Sequence, residues 1–456
     1  MAKIVILGGG ESGVGSALLA KAKGFDVFLS DAGLLKEEYK KKLLAHKIDF
    51  EEGIHTEEKI LTAQEIIKSP GIPDKTDILK KAKIKKIKVI SEIEFAGRYT
   101  KAKKICITGT NGKTTTTLLT YHLLKKGGVN VGLAGNIGHS FAELVIEDKY
   151  DVYVLELSSF QLDGMYKFKA DIAILTNITP DHLDRYDYKV ENYVKSKFRV
   201  IQNMTSADTF IYGEDSDLLF DQLIDIETPA QELPFSIEET LGVAAWGNEN
   251  LFFINPNYDI SHDENKIEDI LEIDNTKATL KGKHNLYNAM AASLAAAKFG
   301  IGKETIEAGL QDFKNASHRM EFVAEINGVK FINDSKATNV DSAYYALDAV
   351  KEPIVWIAGG VDKGNDYSEL YDVIKGKVKA LVCLGKENEK LFKAFKGKIP
   401  VIKETEDVND CAKICLELAK EGDVVLLSPC CASFDLFKNY EDRGDKFSEA
   451  VKRLTK

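Results

Sequence analysis

The stretch KKICITGTNGKTTTTLLTYHLLKKGG (103–128) carries the chain's densest set of residues fit for phosphate chemistry. The apolar run KICIT predicts a strand that breaks into Gly109-Thr110-Asn111-Gly112-Lys113-Thr114. A helix is predicted next, with Leu118, Leu119, Leu123 and Leu124 on one face and a Lys-Lys-Gly-Gly ending that sets basic residues at the negative pole and glycine at the cap. The loop is two residues shorter than the full G-x-x-x-x-G-K-[ST] pattern but keeps its working parts. Glycines let backbone N–H groups point inward, the helix N-terminus attracts anionic oxygens, Lys113 neutralises terminal phosphates, and the Thr114 hydroxyl can ligate Mg²⁺.

Two further residues belong to the same chemistry by position. Glu156 sits near the end of the apolar run VYVLEL (152–157), where an unpaired carboxylate is costly to bury. Facing a magnesium ion at the glycine loop removes that cost. The next apolar run ends in TNITPDHLDRY (176–186), which sets His182 among Asp181, Asp184 and Asp187 at the same sheet edge. Of eight histidines, His182 stands out because it joins a strand-end cluster with Glu156 and the loop.

A second glycine loop opens the chain. IVIL (4–7) breaks into GGGESG (8–13); Gly8, Gly10 and Gly13 satisfy G-x-G-x-x-G, and Asp31 closes the next apolar run where a ribose-binding acid would sit. Taken alone, that spacing fits a dinucleotide site and equally a tight strand-to-helix turn that needs glycine for backbone reasons. An NAD-dependent oxidoreductase rests on this loop only and leaves Glu156, His182 and the second loop without purpose. A nucleotide-binding switch or transport ATPase would explain the second loop but not the chain's last third.

The elements that must position these residues are legible as apolar runs: IVIL, VYVLEL, DIAILTNI (171–178), KFIND (330–334), IVWIAGG (354–360), ALVCLG (380–385) and VVLLSP (424–429). Runs apolar on both faces and separated by helices predict an α/β protein with mostly parallel sheets, whose ligands gather beyond the carboxyl ends of the strands. At 456 residues the chain exceeds one hydrophobic core. Three domains are expected, 1–98, 99–315 and 316–456. The stretch 205–280 is less regular, and TPAQELPF and INPNYDISHDENK read as loops around short antiparallel strands.

Composition excludes some classes. A net charge of −10, with 61 basic and 71 acidic residues interspersed, argues against nucleic-acid binding through general positive charge. The one basic run, KKAKIKKIK (80–88), reads as a solvated face. No apolar stretch approaches the ~20 residues of a membrane span and the chain begins on a strand, so a cytoplasmic location is expected. Six cysteines form no metal or disulfide pattern and are expected as buried thiols.

GTNGKTT (109–115), LELSSFQL (155–162), NITPDHLDRY (177–186), GKHNLYNAMAA (282–292), SHRME (317–321), NDSKATN (333–339) and SPCCASFDLFKNYEDRG (428–444) occur in the order found in Mur ligases, which the chain resembles along essentially its whole length. NDSKATN and the SPCCASFD block are similar to the branch that joins D-glutamate to UDP-N-acetylmuramoyl-L-alanine. A ligase of the same core for another amino acid is the nearer alternative.

The resemblance implies a Rossmann-like N-terminal domain, a central domain like the P-loop ATPases with a mostly parallel sheet, and a Rossmann-like C-terminal domain. It implies ATP, two Mg²⁺ ions, an acyl-phosphate intermediate and a monomer. ATP would be held by Gly109, Thr110, Asn111, Gly112, Lys113, Thr114, Thr115, Asn285, Arg319 and Asp334. Thr114 and Glu156 would hold one ion and His182 would help hold the second, together with Lys197 once CO₂ has carbamylated it; Lys195 would face solvent. Lys336 would lie beside the γ-phosphate, making Lys113, His182, Lys197 and Lys336 the catalytic set. Thr338, Lys363, Ser433, Phe434 and Tyr440 match positions around D-glutamate. Gly10, Glu11, Ser12 and Gly13, with Asp31, Ser69 and Gly71, would meet the uridine diphosphate, and Asn136, Ser158 and Gln161 the muramoyl-alanine arm. Substrates held by three domains would imply closure. One departure is plain: the family usually follows the strand-end acid with Thr-Arg, whereas Asp31 is followed by Ala32 and Gly33.

Overall fold

A computed structural model describes residues 2–224, 226–238, 241–259 and 270–455. Three sheets account for the strands among these residues. The first contains β1 (Lys3–Leu7), β2 (Asp26–Asp31), β3 (Asp49–Glu52), β4 (Glu65–Lys68) and β5 (Lys88–Ile90), all parallel, in the order β3-β2-β1-β4-β5. Along β1, Ile4 and Ile6 face one apolar layer and Val5 and Leu7 the other, the two-residue alternation that makes a doubly covered strand read as continuously apolar. The chain leaves β1 toward β2 on one side and later returns to β4 on the other. The crevice at the end of β1 is therefore where the strand order reverses.

The central sheet comprises β6 (Lys103–Thr108), β7 (Val131–Gly135), β8 (Val152–Glu156), β9 (Ile172–Leu175), β10 (Thr209–Gly213), β11 (Gln231–Phe235), β12 (Ala245–Gly247), β13 (Leu251–Ile254) and β14 (Leu271–Asp274), ordered β14-β13-β12-β11-β10-β9-β6-β8-β7. β6 lies between β8 and β9, so the loop after β6 is flanked by the ends of both. Strands β12, β13 and β14 form the antiparallel extension expected from sequence. The loop expected over TPAQELPF is corrected: QELPF is β11, parallel to β10. Pro234 misleads because proline cannot donate to a ladder; toward β12 the strand pairs only through Phe235 and Ala245, so little is lost there. Residues 260–266 of INPNYDISHDENK lie outside the described residues.

The third sheet contains β15 (Glu321–Ile326), β16 (Val329–Asn333), β17 (Ile354–Gly359), β18 (Val378–Leu384), β19 (Val401–Thr405) and β20 (Val424–Cys430), in the order β15-β16-β20-β17-β18-β19. Only the β15–β16 pair is antiparallel. Ile354, Trp356 and Ala358 face one apolar layer and Val355 and Ile357 the other.

The chain divides into two compact units, one of Met1–Thr279 and Asn285–Phe313, the other of Leu280–His284 and Lys314–Lys456. Within the first, the segment after β5 is fastened to the central sheet by two buried carboxylates. Glu92 accepts from the Ser140 hydroxyl and from Ala142 N, while Glu94 accepts from Tyr166 N, Lys167 N and Phe168 N at 3.0, 2.9 and 2.8 Å. The six cysteines are buried free thiols. No described helix is long and apolar enough to cross a membrane.

Candidate active site

In the first unit, the loop 109–112 is shaped by glycine where nothing larger fits. Gly109 (φ 143°) and Gly112 (φ 80°) lie in the left-handed region, and a Cβ on them would stand 2.0 Å from Thr176 Oγ1 and 2.4 Å from Asn288 Oδ1. The end of β9 fixes the loop from beside it. Thr110 N donates to Asn177 O at 2.9 Å, Asn111 N to Asn177 Oδ1 at 2.9 Å, and Thr176 Oγ1 to Asn111 O at 2.6 Å. Gly112 caps the helix Lys113–Lys126, whose first turn holds the buried Thr114 and Thr115. The Lys113 ammonium folds back onto the carbonyls of Gly109 and Thr110 at 2.8 and 2.6 Å. Asn285 reaches the same helix indirectly: it accepts from Asn288, whose other amide atom accepts from Thr116.

Glu156 ends β8 at 1% exposure. Its Oε1 accepts from Asn136 Nδ2 at 2.7 Å, whereas Oε2 is buried without a hydrogen-bond partner. A carboxylate oxygen left so inside a protein is expensive, and a cation relieves the cost. Among the described residues no three His, Cys, Asp or Glu side chains cluster as a metal site. The donors fit magnesium, a hard ion that keeps waters and takes one or two carboxylates together with phosphate oxygens.

Lys197 lies on the helix Val190–Phe198 and is 1% exposed, with its Nζ donating to Gly109 O at 2.7 Å and Thr108 Oγ1 at 3.3 Å. Burial first and the Lys113 charge second hold its pKa well below the usual lysine range, only partly offset by Asp181, Glu156 and Asp163. Lys195 is exposed. His182 has φ 52°, its Nε2 is 3.6 Å from Asp181 Oδ2, and its ring meets Phe160 edge to face at 5.1 Å. Lys113, Glu156, Lys197 and the His182 segment thus share the carboxyl edge of β6, β8 and β9.

Around the first loop, Gly10 caps the helix Glu11–Ala22, which begins on Glu11 and Ser12. A Cβ on Gly13 would stand 1.9 Å from Gly8 O. Asp31 accepts from Gly9 N at 2.5 Å and Gly33 N at 2.7 Å, so Gly33 closes the acid's own turn where the family pattern has Thr-Arg. Ser69 donates to Gly8 O at 3.3 Å, and Gly71 is exposed beyond it. Asn136 is tied to Glu156. Ser158 and Gln161 form a reciprocal capping box on the helix Ser159–Asp163, with Gln161 buried.

In the second unit, the expected residues gather at the carboxyl ends of the neighbouring strands β16, β20 and β17. Asp334 is 1% exposed, accepts from Met320 N and Ser428 Oγ, and is pushed up to about 6 by burial against the pull of Arg319. Arg319 Nε is buried without a hydrogen-bond partner. Lys336 Nζ stands 5.3 Å from the Tyr440 ring centroid, Thr338 follows it, and Lys363 is exposed beyond β17. Ser433 is buried and Phe434 is 72% exposed.

Sequence reasoning missed the fasteners. Arg443, 1% exposed, donates to the Ser335 hydroxyl and carbonyl and to the carbonyls of Gly359 and Cys431, knotting together the carboxyl ends of β16, β17 and β20. Its only signal was a cation inside the SPCCASFDLFKNYEDRG block. Asn177 and Asn288 gave none.

Three protein-family domains match the chain in order. The MurD N-terminal domain matches residues 3–78, the Mur ligase middle domain 107–296, and the Mur ligase, glutamate ligase domain 318–431. The UDP-N-acetylmuramoylalanine--D-glutamate ligase of Christiangramia forsetii is 51% identical over 460 residues, covering 99% of both chains, and that of Bacteroides fragilis is 50% identical over 455 residues, covering all of both. The crystal structures of the UDP-N-acetylmuramate-alanine ligase MurC and of MurF ligase in complex with ADP, both from Thermotoga maritima, share the fold. Their TM-scores are 0.63 and 0.60 at 18% and 16% identity; the first match covers all of both chains, the second 95% of this chain and 97% of that one. With full-length relatives at this identity and all three domain descriptions matched in order, the chain belongs to the Mur ligase family, on the branch of the UDP-N-acetylmuramoylalanine--D-glutamate ligases.

Proposed function

We propose that the protein is an ATP-dependent ligase that adds D-glutamate to UDP-N-acetylmuramoyl-L-alanine through an acyl phosphate, in the cytoplasmic synthesis of peptidoglycan precursor, acting as a monomer. One observation carries the chemistry: the glycine loop with Lys113, the unserved oxygen of Glu156 and the buried Lys197 meet at one sheet edge. A carboxylate is inert toward an amine in water. An oxygen of the alanyl carboxylate attacks the γ-phosphorus, ADP leaves, and the acyl carbon gains a phosphate leaving group; the glutamate amine then adds, loses a proton, and phosphate departs.

The demands on the chain are positioning and charge neutralisation. Loop N–H groups and the helix N-terminus receive the phosphates, with the Thr115 turn behind them. Lys113 releases the carbonyls of Gly109 and Thr110 and takes up the γ-phosphate, and Lys336 joins it. Asn285, Arg319 and Asp334 serve the rest of the nucleotide. Magnesium, when bound, neutralises phosphate charge and orients the transferring group. Thr114 and Glu156 would hold one ion, with His182 and a carbamylated Lys197 for a second. An uncharged buried amine is the form that adds to CO₂, and the depressed pKa of Lys197 favours that form. Thr338, Lys363, Ser433, Phe434 and Tyr440 receive D-glutamate. Gly10, Glu11, Ser12, Gly13, Asp31, Ser69 and Gly71 receive the uridine diphosphate, and Asn136, Ser158 and Gln161 the muramoyl-alanine arm. Domain boundaries at 98/99 and 315/316 are part of this reading.

Phosphate release measured with ATP, UDP-N-acetylmuramoyl-L-alanine and a panel of amino acids tests the assignment. Turnover is expected with D-glutamate; turnover with another amino acid and none with D-glutamate would overturn it.

A further inference from the structure

The basic run KKAKIKKIK serves none of these roles. Part of it is a solvated face, as the sequence suggests: Lys80 pairs with Asp77 and Lys81 with Glu57. Lys83, Lys86 and Lys88 do something different. Lys83 lies in the last turn of the helix Asp77–Ile84, Lys86 has φ 58° in the turn that follows, and Lys88 begins β5. All three line a cleft of about 600 Å³, within the size range of small-molecule sites. Among the described residues none of the three has a carboxylate at ion-pair distance. By contrast Lys68, also lining the cleft but only 6% exposed, is neutralised by Asp74 at 2.8 Å. Phe160 and Tyr166 supply aromatic wall, and Lys88 Nζ stands 5.0 Å from the Tyr166 ring centroid. Of the two carboxylates in the lining, Asp74 is taken by Lys68, and Asp163 accepts from the Tyr186 hydroxyl at 2.9 Å, so the three lysines outnumber the one carboxylate that has no cation on it.

We propose that this cleft binds a small organic phosphate bearing a ring, and that its occupancy is transmitted to the His182 segment through Phe160. Three cations without ion-pair partners beside an aromatic wall select a molecule with an anionic end and a flat end. The same Phe160 ring meets the His182 ring at 5.1 Å, stacks on Tyr186 at 6.1 Å and lies under the Arg185 guanidinium at 4.3 Å. Asp163, at the other end of the helix Ser159–Asp163, holds Tyr186. Two cleft residues therefore hold the segment that carries His182, and a ligand with different affinity for two arrangements of Phe160 shifts that segment, with the reciprocal effect on its own affinity.

1-Naphthyl phosphate, titrated calorimetrically into the full chain with saturating UDP, Mg²⁺ and a non-hydrolysable ATP analogue, tests the site. Saturable binding at one site is expected, at least tenfold weaker for 1-naphthol and for Lys83→Glu/Lys86→Glu/Lys88→Glu, a triple variant of exposed side chains that keeps the far-ultraviolet circular dichroism of the parent. Equal affinity in the triple variant, or binding abolished by the two nucleotides, would overturn the site. The His182 ring-proton resonance, assigned with His182→Asn, is expected to move on saturation in the parent; a resonance that stays fixed while the probe binds would refute the transmission.

Discussion

Glu156 and Lys197 show how much chemistry a single buried charge implies. The carboxylate has one oxygen served by Asn136 and one buried without a hydrogen-bond partner, an arrangement that a bound cation would complete. Glu156→Gln removes the charge and keeps the oxygen that faces Asn136. The variant is expected to melt no lower than the parent without nucleotide, yet to lose the stabilisation that Mg²⁺ and ATP confer and at least about a hundredfold in turnover. Thermal shift with and without Mg²⁺–ATP checks this; full retention of the nucleotide-induced shift would show that Glu156 does not face the metal. Lys197 poses the opposite problem, an amine whose charge is disfavoured by burial and by Lys113, beside the proposed magnesium site. Carbamylation converts it to an anion and resolves the conflict. Lys197→Ala is expected to lose most ligase activity and to recover part of it in the presence of short carboxylic acids, whereas a fully active variant would remove the carbamate from the mechanism.

The segment Glu92–Ala96 carries two carboxylates whose environments push in opposite directions. Burial drives Glu92 up to about 7 against its bonds from Ser140 and Ala142, with the Glu11 charge adding to the rise. Burial also raises Glu94, but the backbone donors of residues 166–168 and Arg98 outweigh it and leave the group below the usual carboxylate range. The signs follow by linkage. Glu94 contributes stability at neutral pH that is lost on acidification. Glu92, protonated more readily when folded, contributes stability in acid that is lost as pH rises from the ordinary carboxylate range through 7, about 3 kcal/mol in all. Glu92→Gln is expected to flatten the fall in unfolding free energy between about pH 5 and 8, measured by urea titration; an unchanged slope would mean that Glu92 is ionised throughout. None of this was legible in SEIEFAGRYT, because it depends on partners some 48 to 74 positions away. What was legible had local causes. Runs apolar on both faces announced β1, β8, β9, β16, β17, β18 and β20, and the residues just past their ends announced the loops where the candidate site residues gather. Pro234 hid β11 because the proline rule holds for strands paired on both sides, and nothing local reveals that β11 meets β12 at its last residue alone. Arg443 escaped because its four oxygen partners come from the ends of three separate strands.

At the scale of the molecule, the two compact units have separate sheets and separate apolar layers, and the chain crosses between them at 279/280, 284/285 and 313/314. Units built this way unfold as separate cooperative blocks unless their interaction is large. Differential scanning calorimetry is expected to resolve two transitions, and the one with the larger enthalpy belongs to the first unit, since unfolding enthalpy scales with the number of residues. The glycine loop, Glu156 and Lys197 lie in that unit. Mg²⁺–ATP at about a hundredfold over its dissociation constant therefore raises the larger transition by an amount on the order of 4 °C. A single transition with equal calorimetric and van 't Hoff enthalpies would show that the molecule unfolds as one block. An upward shift confined to the smaller transition would place the dominant nucleotide contacts on the unit that carries Arg319, Asp334 and Lys336, and would make Lys336, not Lys113, the principal cation on the γ-phosphate.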